Sequence, residues 1–592
     1  MRRRSHTALA ALAAALIGSL VPIGPAAAQA PERPNVVFVM TDDQTDESVS
    51  FQRNVGLLQR QGTTFTEAYA TYPLCCPSRG TYLTGQYSHN HRVLHNAGPF
   101  GGYLAFDHSS SLPLWLQSAG YRTMHVGRYF NGYGVQNEDL TEMPPGWNDW
   151  ISAVGTTVFN FERWQTNENG AIQWRPGPDR PGEHQTDFFG RRAAELIDAA
   201  APSPQPFFLS LTFPAPHLGQ PRDPDDPVGL LGTPSPAPRH RDAFAHLPLP
   251  RPPSFDEADV RNKPQIVADR PRLSAEMQAA IRENYQQELE SLLGVDEAVG
   301  AVLAALRRNG ELESTLIVYT SDNGFFHGEH RLPNEKMLPY EASSHIPLIM
   351  RGPGVPRGRR LGQLVGNIDW APTIVDAAGA IPTLEMDGRS LLEALADPRR
   401  ELGRELVIEN GYGANGVSMY RALRNQRYLW VEHKATGEYE LYDLREDPYE
   451  LDNLEDLDSH ADVRRALASR LRRLQRCRGE RQCGASRPRL RLAARQQPPP
   501  PRGRRRGRTR ATQRCVGRDL RLGIRGRDRH RVERVVYHRG ARRLRGTRRP
   551  PFVVRLRRRA LPRGRRLTLR ALVTTVDGRR ATYDRRIRTC RR

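Results

Sequence analysis

Asn35-Val36-Val37-Phe38-Val39-Met40, closed by Thr41-Asp42-Asp43-Gln44, sets the fold class of this chain. Its apolar residues run without alternation, so both faces of the strand must be covered, the mark of a parallel sheet packed between helices. Two runs repeat the pattern, Pro206-Phe207-Phe208-Leu209-Ser210-Leu211-Thr212 and Thr315-Leu316-Ile317-Val318-Tyr319-Thr320. Each leads into polar residues: Asp42 and Asp43 after the first, His217 after the second, Asp322 and Asn323 after the third. Between them, apolar residues three and four apart predict helices over Phe188–Ala200 and Glu276–Arg307. Strand–helix alternation predicts an α/β fold, a large sheet flanked by helices, with the chemistry gathered beyond the strands' carboxyl ends.

The residues closest to chemistry are Cys75-Cys76-Pro77-Ser78-Arg79-Gly80-Thr81-Tyr82-Leu83-Thr84-Gly85. Two adjacent cysteines alone allow a vicinal disulfide, two buried thiols, or a zinc site with His89, His91 and His95. The full pattern, Cys-x-Pro-Ser-Arg-x-x-x-Leu-Thr-Gly, resembles the type I sulfatase family of the alkaline phosphatase superfamily. The resemblance implies that a formylglycine-generating enzyme converts the first cysteine, Cys75, to Cα-formylglycine, whose hydrate is the nucleophile. A hydrate carries two hydroxyls on one carbon. One attacks sulfur, and the other later expels sulfate by re-forming the carbonyl, a route closed to an ordinary serine ester. The resemblance runs from about Arg33 to His460, through Thr41-Asp42-Asp43-Gln44 and Thr320-Ser321-Asp322-Asn323-Gly324. It implies an alkaline-phosphatase-like sandwich with a large mixed sheet and a small C-terminal antiparallel β subdomain.

A metal beside the nucleophile is expected in such an enzyme. Asp42, Asp43, Asp322 and Asn323 each follow a buried strand and offer only oxygen, which suits Ca²⁺, with Mg²⁺ as the alternative. The modified Cys75 would complete that set. The resemblance assigns Arg79, Arg128 and Lys336 to the sulfate oxygens, His217 or Lys336 to the leaving oxygen, and Asp322 to proton acceptance. Gly127-Arg128-Tyr129-Phe130-Asn131 departs from the family, which usually carries lysine where Arg128 stands. Phe130 fills the place of a histidine found in arylsulfatases. Asn131 is shared with the glucosamine-6-sulfatase branch, and His327 and His330 are substitutes for the missing base. Pro73-Leu74-Cys75-Cys76-Pro77 and Tyr87-Ser88-His89-Asn90-His91 also resemble that branch. The expected reaction is hydrolysis of a sulfate monoester of a sugar or aryl alcohol. A phosphonate or phosphodiester hydrolase and a non-catalytic polyanion-binding protein are the alternatives.

Residues 1–28 read as a secretory signal: Arg2-Arg3-Arg4, an apolar run from Ala8 to Val21, then small residues to Ala28. Export to the periplasm, cell surface or medium follows, with no membrane span. Residues 33–400 are the expected catalytic domain, with a proline-rich surface insertion over 218–275. Short strand patterns over Glu405–Asp443 and a helix near 462–474 mark a β subdomain, 401–483. A Pro/Arg-rich linker, 484–514, leads to a small β tail, 515–592. From Ser486 onward the chain holds 39 of its 88 basic and 5 of its 65 acidic residues, a charge of +34. The remaining 49 basic and 60 acidic residues leave the body at −11. Such a tail either contacts a polyanion or reflects a genome rich in arginine codons. In an exported protein, the cysteines outside the motif predict disulfides Cys477–Cys483 and Cys515–Cys590.

Overall fold

The computed structural model describes residues 33–484, apart from 228, 400–401 and 413–417, together with strands between Leu520 and Arg588. The signal segment, the linker from 485 on and the pair Cys515–Cys590 lie outside the described residues. The chain divides into two compact units, the second beginning at Ala493.

The first unit is built on a ten-stranded mixed sheet. Its strands are β1 (Asn35–Thr41), β2 (Thr63–Tyr69), β3 (Arg122–Arg128), β4 (Asp149–Ala153), β5 (Trp164–Glu168), β6 (Ala171–Arg175), β7 (Phe207–Thr212), β8 (Thr315–Ser321), β9 (Leu348–Arg351) and β10 (Arg359–Gly366). Their order is β10-β2-β9-β8-β1-β7-β3-β4-β5-β6. Strand β1 lies inside the sheet, parallel to both β7 and β8. The absence of alternation now has its cause. Val36, Phe38 and Met40 enter one core with Tyr82 and Trp370, whereas Val37 and Val39 enter the other, beneath the helices Gln185–Ala200 and Ala275–Arg308. Each fully buried side chain of this size contributes about 1.5–3 kcal/mol, so β1 cannot tolerate a polar face.

The small subdomain is a meander, β11 (Leu406–Tyr412), β12 (Ser418–Arg424), β13 (Tyr428–His433) and β14 (Tyr439–Asp443), with antiparallel neighbours throughout. One face packs on the helix Ala461–Leu474, beside which Cys477 and Cys483 are joined in a disulfide. The other face carries Ile408, Tyr420 and Leu429 onto Phe326, Leu332 and Leu338. It thus supports the loop bearing Lys336.

The stretch 218–275 differs from the expected surface insertion. Leu231 and Leu249 are buried against Ile281, Tyr285 and Leu289 of the long helix, and Val260 and Val267 against Phe326 and Leu332. Proline scatters these apolar residues out of any period, but each plugs a gap singly. Among the described residues, no helix is long and apolar enough to cross a membrane.

Candidate active site

The motif forms the helix Cys75–Thr84, buried along its whole length. Leu74 is extended, and Pro77 sits in the first turn, where a missing N–H costs nothing. Asn96 Oδ1 accepts from the Cys76 N–H at 2.8 Å, satisfying one of the exposed donors of that turn. The helix ends at Gly85, whose φ of 66° is the left-handed conformation that closes helices most cheaply with glycine. Cys75 therefore stands at the positive end of a helix dipole, where an anion is favoured.

Sheet register brings the carboxylates to it. Thr41 pairs with Ser321 across β1 and β8, so Asp42 and Asp322 emerge side by side. Asp43 takes a φ of 72°, and its N–H donates to Asp322 Oδ1 at 3.3 Å. Gly324 follows because a Cβ there would lie 2.3 Å from the carbonyl oxygen of Ala342. Oxygens of Asp42, Asp43 and Asp322 lie within 4.8 Å of one another, and all three residues are buried. The Cys75 thiol donates to Asp42 Oδ1 at 3.4 Å.

Three cations offset the three carboxylates. Arg79 donates to Asp42 at 2.8 Å, to Asp322 at 3.1 Å and to the carbonyl of Arg128 at 2.9 Å. Its guanidinium braces the carboxylates one turn from Cys75. Arg128 is paired with Asp42 and lies over the Phe159 ring at 4.8 Å. Burial lowers its pKa to about 10 against the pull of Asp322, which still leaves it charged near neutrality. Lys336 Nζ donates to Asp43 Oδ2 at 2.6 Å and to Cys75 Sγ at 3.3 Å. Burial works against its charge, but Asp43, Cys75 and Asp322 outweigh burial and raise its pKa.

His217 stacks on Phe159 at 4.2 Å. Its Nδ1 faces the Leu218 carbonyl at 2.8 Å and its Nε2 lies 3.7 Å from Asp43 Oδ2. A carbonyl only accepts, so Nδ1 carries the proton and the neutral ring presents Nε2 as an acceptor. Burial, with Lys336 and Arg128 nearby, pushes its pKa well down. A ring nitrogen of His217 lies within 4.8 Å of Cys75 Sγ and an Asp42 oxygen.

Asn131 accepts from the Arg128 guanidinium, whereas His327 and His330 sit elsewhere. Asn131 faces the second cysteine: its backbone N–H donates to Cys76 Sγ at 3.2 Å, and its Oδ1 accepts from the same thiol at 3.1 Å. His330 Nδ1 is bonded to Glu257 at 2.7 Å, and His327 Nε2 pairs with Glu288 at 3.1 Å. Cys75 and Cys76 are both free, which removes the vicinal disulfide. His89 pairs with Glu409 and His91 with Thr81, and among the described residues no group of possible metal ligands joins the cysteines to His89, His91 or His95.

Sequence reasoning missed the residues that hold the loops. Glu288, in the middle of the long helix, accepts from Thr45 N–H at 3.2 Å and Thr45 Oγ1 at 3.1 Å while also pairing with His327. One carboxylate thereby ties the loop after Asp43 to the loop after Asn323. Its signal is the run Asn284-Tyr285-Gln286-Gln287-Glu288, polar yet on a buried helical segment. Asn367 bonds Ser78 Oγ at 2.9 Å and Thr71 N–H at 3.0 Å, clamping the motif helix from the far side. Tyr420 Oη donates to the Met337 carbonyl at 2.6 Å, fixing the backbone next to Lys336. Nothing local in the sequence marks Asn367 or Tyr420.

The donor set fits a hard divalent cation. Three buried carboxylates converge, and Asn323 Oδ1, fully buried, has no hydrogen-bond partner among the described residues, while its amide donates to Asp43 at 2.6 Å. An orphaned buried carbonyl oxygen beside carboxylates is what an oxygen-liganded ion would satisfy. The Cys75 thiol is pushed up to about 12, first by burial, with Lys336 opposing and Asp322 and Asp43 adding. An unmodified thiol would remain protonated and a weak nucleophile. Beyond the cluster lies a cavity of about 480 Å³, lined by Thr45, Glu47, Phe325, Glu329 and His330. Its walls begin two residues after Asp43 and two after Asn323. Its volume can take the remaining bulk of a substrate.

The chain is similar to known proteins of one family. The Sulfatase family matches residues 34–380, and the family described as N-sulphoglucosamine sulphohydrolase, C-terminal, matches 328–477. An arylsulfatase of Volvox carteri is 32% identical over 507 residues, 77% of this chain and 76% of the relative. An N-acetylglucosamine-6-sulfatase of Capra hircus is 31% identical over 476 residues, 72% of this chain and 81% of the relative. Among solved structures, a protein in complex with its substrate D-glucosamine-2-N,6-O-disulfate aligns with a TM-score of 0.62 at 24% identity. That alignment covers 75% of this chain and 97% of the other.

Proposed function

The chain belongs to the sulfatase family and hydrolyses sulfate esters, and from that premise we propose a formylglycine-dependent, metal-assisted sulfatase exported from the cell. The observation that carries this reading is the meeting of the motif cysteine with the carboxylate cluster. Cys75 Sγ stands 3.4 Å from Asp42 and 3.3 Å from Lys336, at the start of a helix. Formylglycine at position 75 would supply a hydroxyl nucleophile and a carbonyl-forming exit for sulfate. Asp42, Asp43, Asp322 and Asn323 would hold Ca²⁺, which polarises the ester and lowers the pKa of the attacking hydroxyl.

The chain's own residues divide the remaining work. Arg128 and Lys336 place positive charge around the sulfate oxygens, while Arg79 keeps Asp42 and Asp322 aligned. Lys336 has only protons to donate and protonates the leaving alcohol. His217, its Nδ1 fixed on Leu218, offers Nε2 to accept a proton from residue 75. It thus replaces the histidine whose place Phe130 occupies. Asp322 is the proton acceptor of the attack. A sulfated amino sugar is the favoured substrate, in keeping with the name of the Capra hircus relative. The apolar run of the signal and the names of related extracellular sulfatases support export.

Mass spectrometry of the tryptic peptide Gln61–Arg79 from active protein tests the nucleophile. The expected result is loss of the thiol at position 75 with Cys76 intact, and activity from protein carrying only unmodified Cys75 would refute it. Turnover of glucosamine-6-sulfate should exceed that of a phosphodiester or phosphonate. The reverse preference would favour the phosphonate or phosphodiester reading.

A further inference from the structure

The second unit holds a four-stranded antiparallel sheet ordered Arg542–Thr547, Val532–Arg539, Arg566–Thr575, Arg580–Arg588. Its register sorts residues by face. Arg566 pairs with Arg588, Thr568 with Arg586, Arg570 with Asp584 and Thr574 with Arg580. The intervening positions put Leu567 opposite Ile587, Ala571 opposite Tyr583 and Val573 opposite Ala581. The neighbouring strands continue both faces: His538 and Arg543 lie in the row of Arg570, whereas Tyr537 lies in the row of Ala571. One face of the sheet is therefore arginine-rich and the other mostly apolar. Four arginines break the rule at one end of the apolar face, Arg539, Arg542, Arg545 and Arg585, and the pair Val536 and Leu572 breaks it on the arginine face.

We infer that the arginine face of this sheet is a binding surface for a sulfated polysaccharide. An arginine excess set only by codon usage has no reason to respect strand alternation, and this one largely does. Like charges directly opposite, as at Arg566 and Arg588, destabilise an antiparallel pair unless an anion bridges them. Alternate residues stand about 6.6 Å apart along a strand and neighbouring strands about 4.8 Å apart, so the surface offers a lattice of positive charge rather than a point. The tail has 39 arginines from Ser486 onward and no lysine, and the planar guanidinium matches sulfate with paired hydrogen bonds. The body, at −11, would repel the same polymer, and a tail at +34 offsets that at close range. The choice of a sulfated ligand rests on the sulfatase reading, but the binding itself requires no turnover.

The test removes equal charge from opposite faces of the full-length chain. One variant carries Arg566→Gln, Arg570→Gln, Arg586→Gln and Arg588→Gln, and the control carries Arg539→Gln, Arg542→Gln, Arg545→Gln and Arg585→Gln. Both are compared by far-UV circular dichroism with the unsubstituted protein. The single variants Arg588→Gln and Arg585→Gln provide the same comparison should a fourfold one unfold. On heparin at about 0.15 M salt the first is expected to lose about tenfold or more in affinity and the control less than about threefold, with a shallower salt dependence for the first. Loss of affinity that is equal for the two faces, or no binding by the full chain, overturns the proposal. Equal affinity for duplex DNA and heparin overturns the assignment to sulfated polymers. Repeating the series with Cys75→Ala separates it from the catalytic reading, because binding should persist without activity.

Discussion

The ten-stranded sheet and the four-stranded sheet of the second unit use charge in opposite places. In the ten-stranded sheet both faces are covered, so β1 is apolar from Val36 to Met40 and charge is admitted only past its end, at Asp42 and Asp43. In the sheet of the second unit, charge alternates with apolar residues along the strand, as in Arg566-Leu567-Thr568-Leu569-Arg570. The first arrangement concentrates buried ionic groups at one point, where desolvation strengthens them and geometry can be exact to a few tenths of an ångström. The second spreads charge over an area, suited to contact with an extended ligand and not to bond breaking.

That contrast can be broken experimentally, beginning where the effect is largest. Asp322→Ala should reduce kcat/KM on the order of 10³-fold or more and abolish rescue by Ca²⁺ after chelation, because a ligand and the proton acceptor vanish together. Near-normal turnover would show that the carboxylate cluster does not carry the chemistry. Phe38→Ala, in the doubly covered strand, should cost about 3–5 kcal/mol, read as a lower urea midpoint of the catalytic body. Thr568→Ala, on the arginine face, should cost less than about 0.5 kcal/mol.

Glu288→Gln should weaken Ca²⁺ binding about 10- to 100-fold by calorimetry, since it loosens both ligand loops without touching the ion. Unchanged affinity would make Glu288 only a packing residue. The smallest effect concerns pH. Burial lowers the pKa of His327, but the Glu288 carboxylate and its hydrogen bond, with Glu329 and Glu47, raise it by more. A raised folded pKa stabilises most below the ordinary histidine value of about 6.5 and loses that contribution as pH rises through the folded value. The urea midpoint of His327→Gln should therefore fall furthest below the wild type below about pH 6.5 and converge with it as pH rises through the folded value. A gap that widened with pH would reverse the assignment.

Much of this was legible in the chain itself, because it followed from periods and spacings. Continuous burial of Val36–Met40 demanded a covered parallel strand, polar residues after three such strands demanded a site at their ends, and the spacing from Cys75 to Pro77 and Arg79 identified the motif. The β subdomain and its closing helix were visible in the same way, by alternation and then a helical period. Tertiary structure alone decided the partnerships. Glu288 reaches Thr45 across 243 residues, Asn367 reaches Ser78 across 289, and Lys336 reaches Cys75 across 261. No local period encodes such contacts. Similarly, Leu231 and Val260 lie in a proline-broken stretch that has no pattern of its own, and they are buried because distant helices and strands leave gaps of their size. Sequence determines which residues must avoid water or face it, because that is a local free energy. Which of the distant polar groups satisfy one another is settled only when the sheet's register sets them side by side.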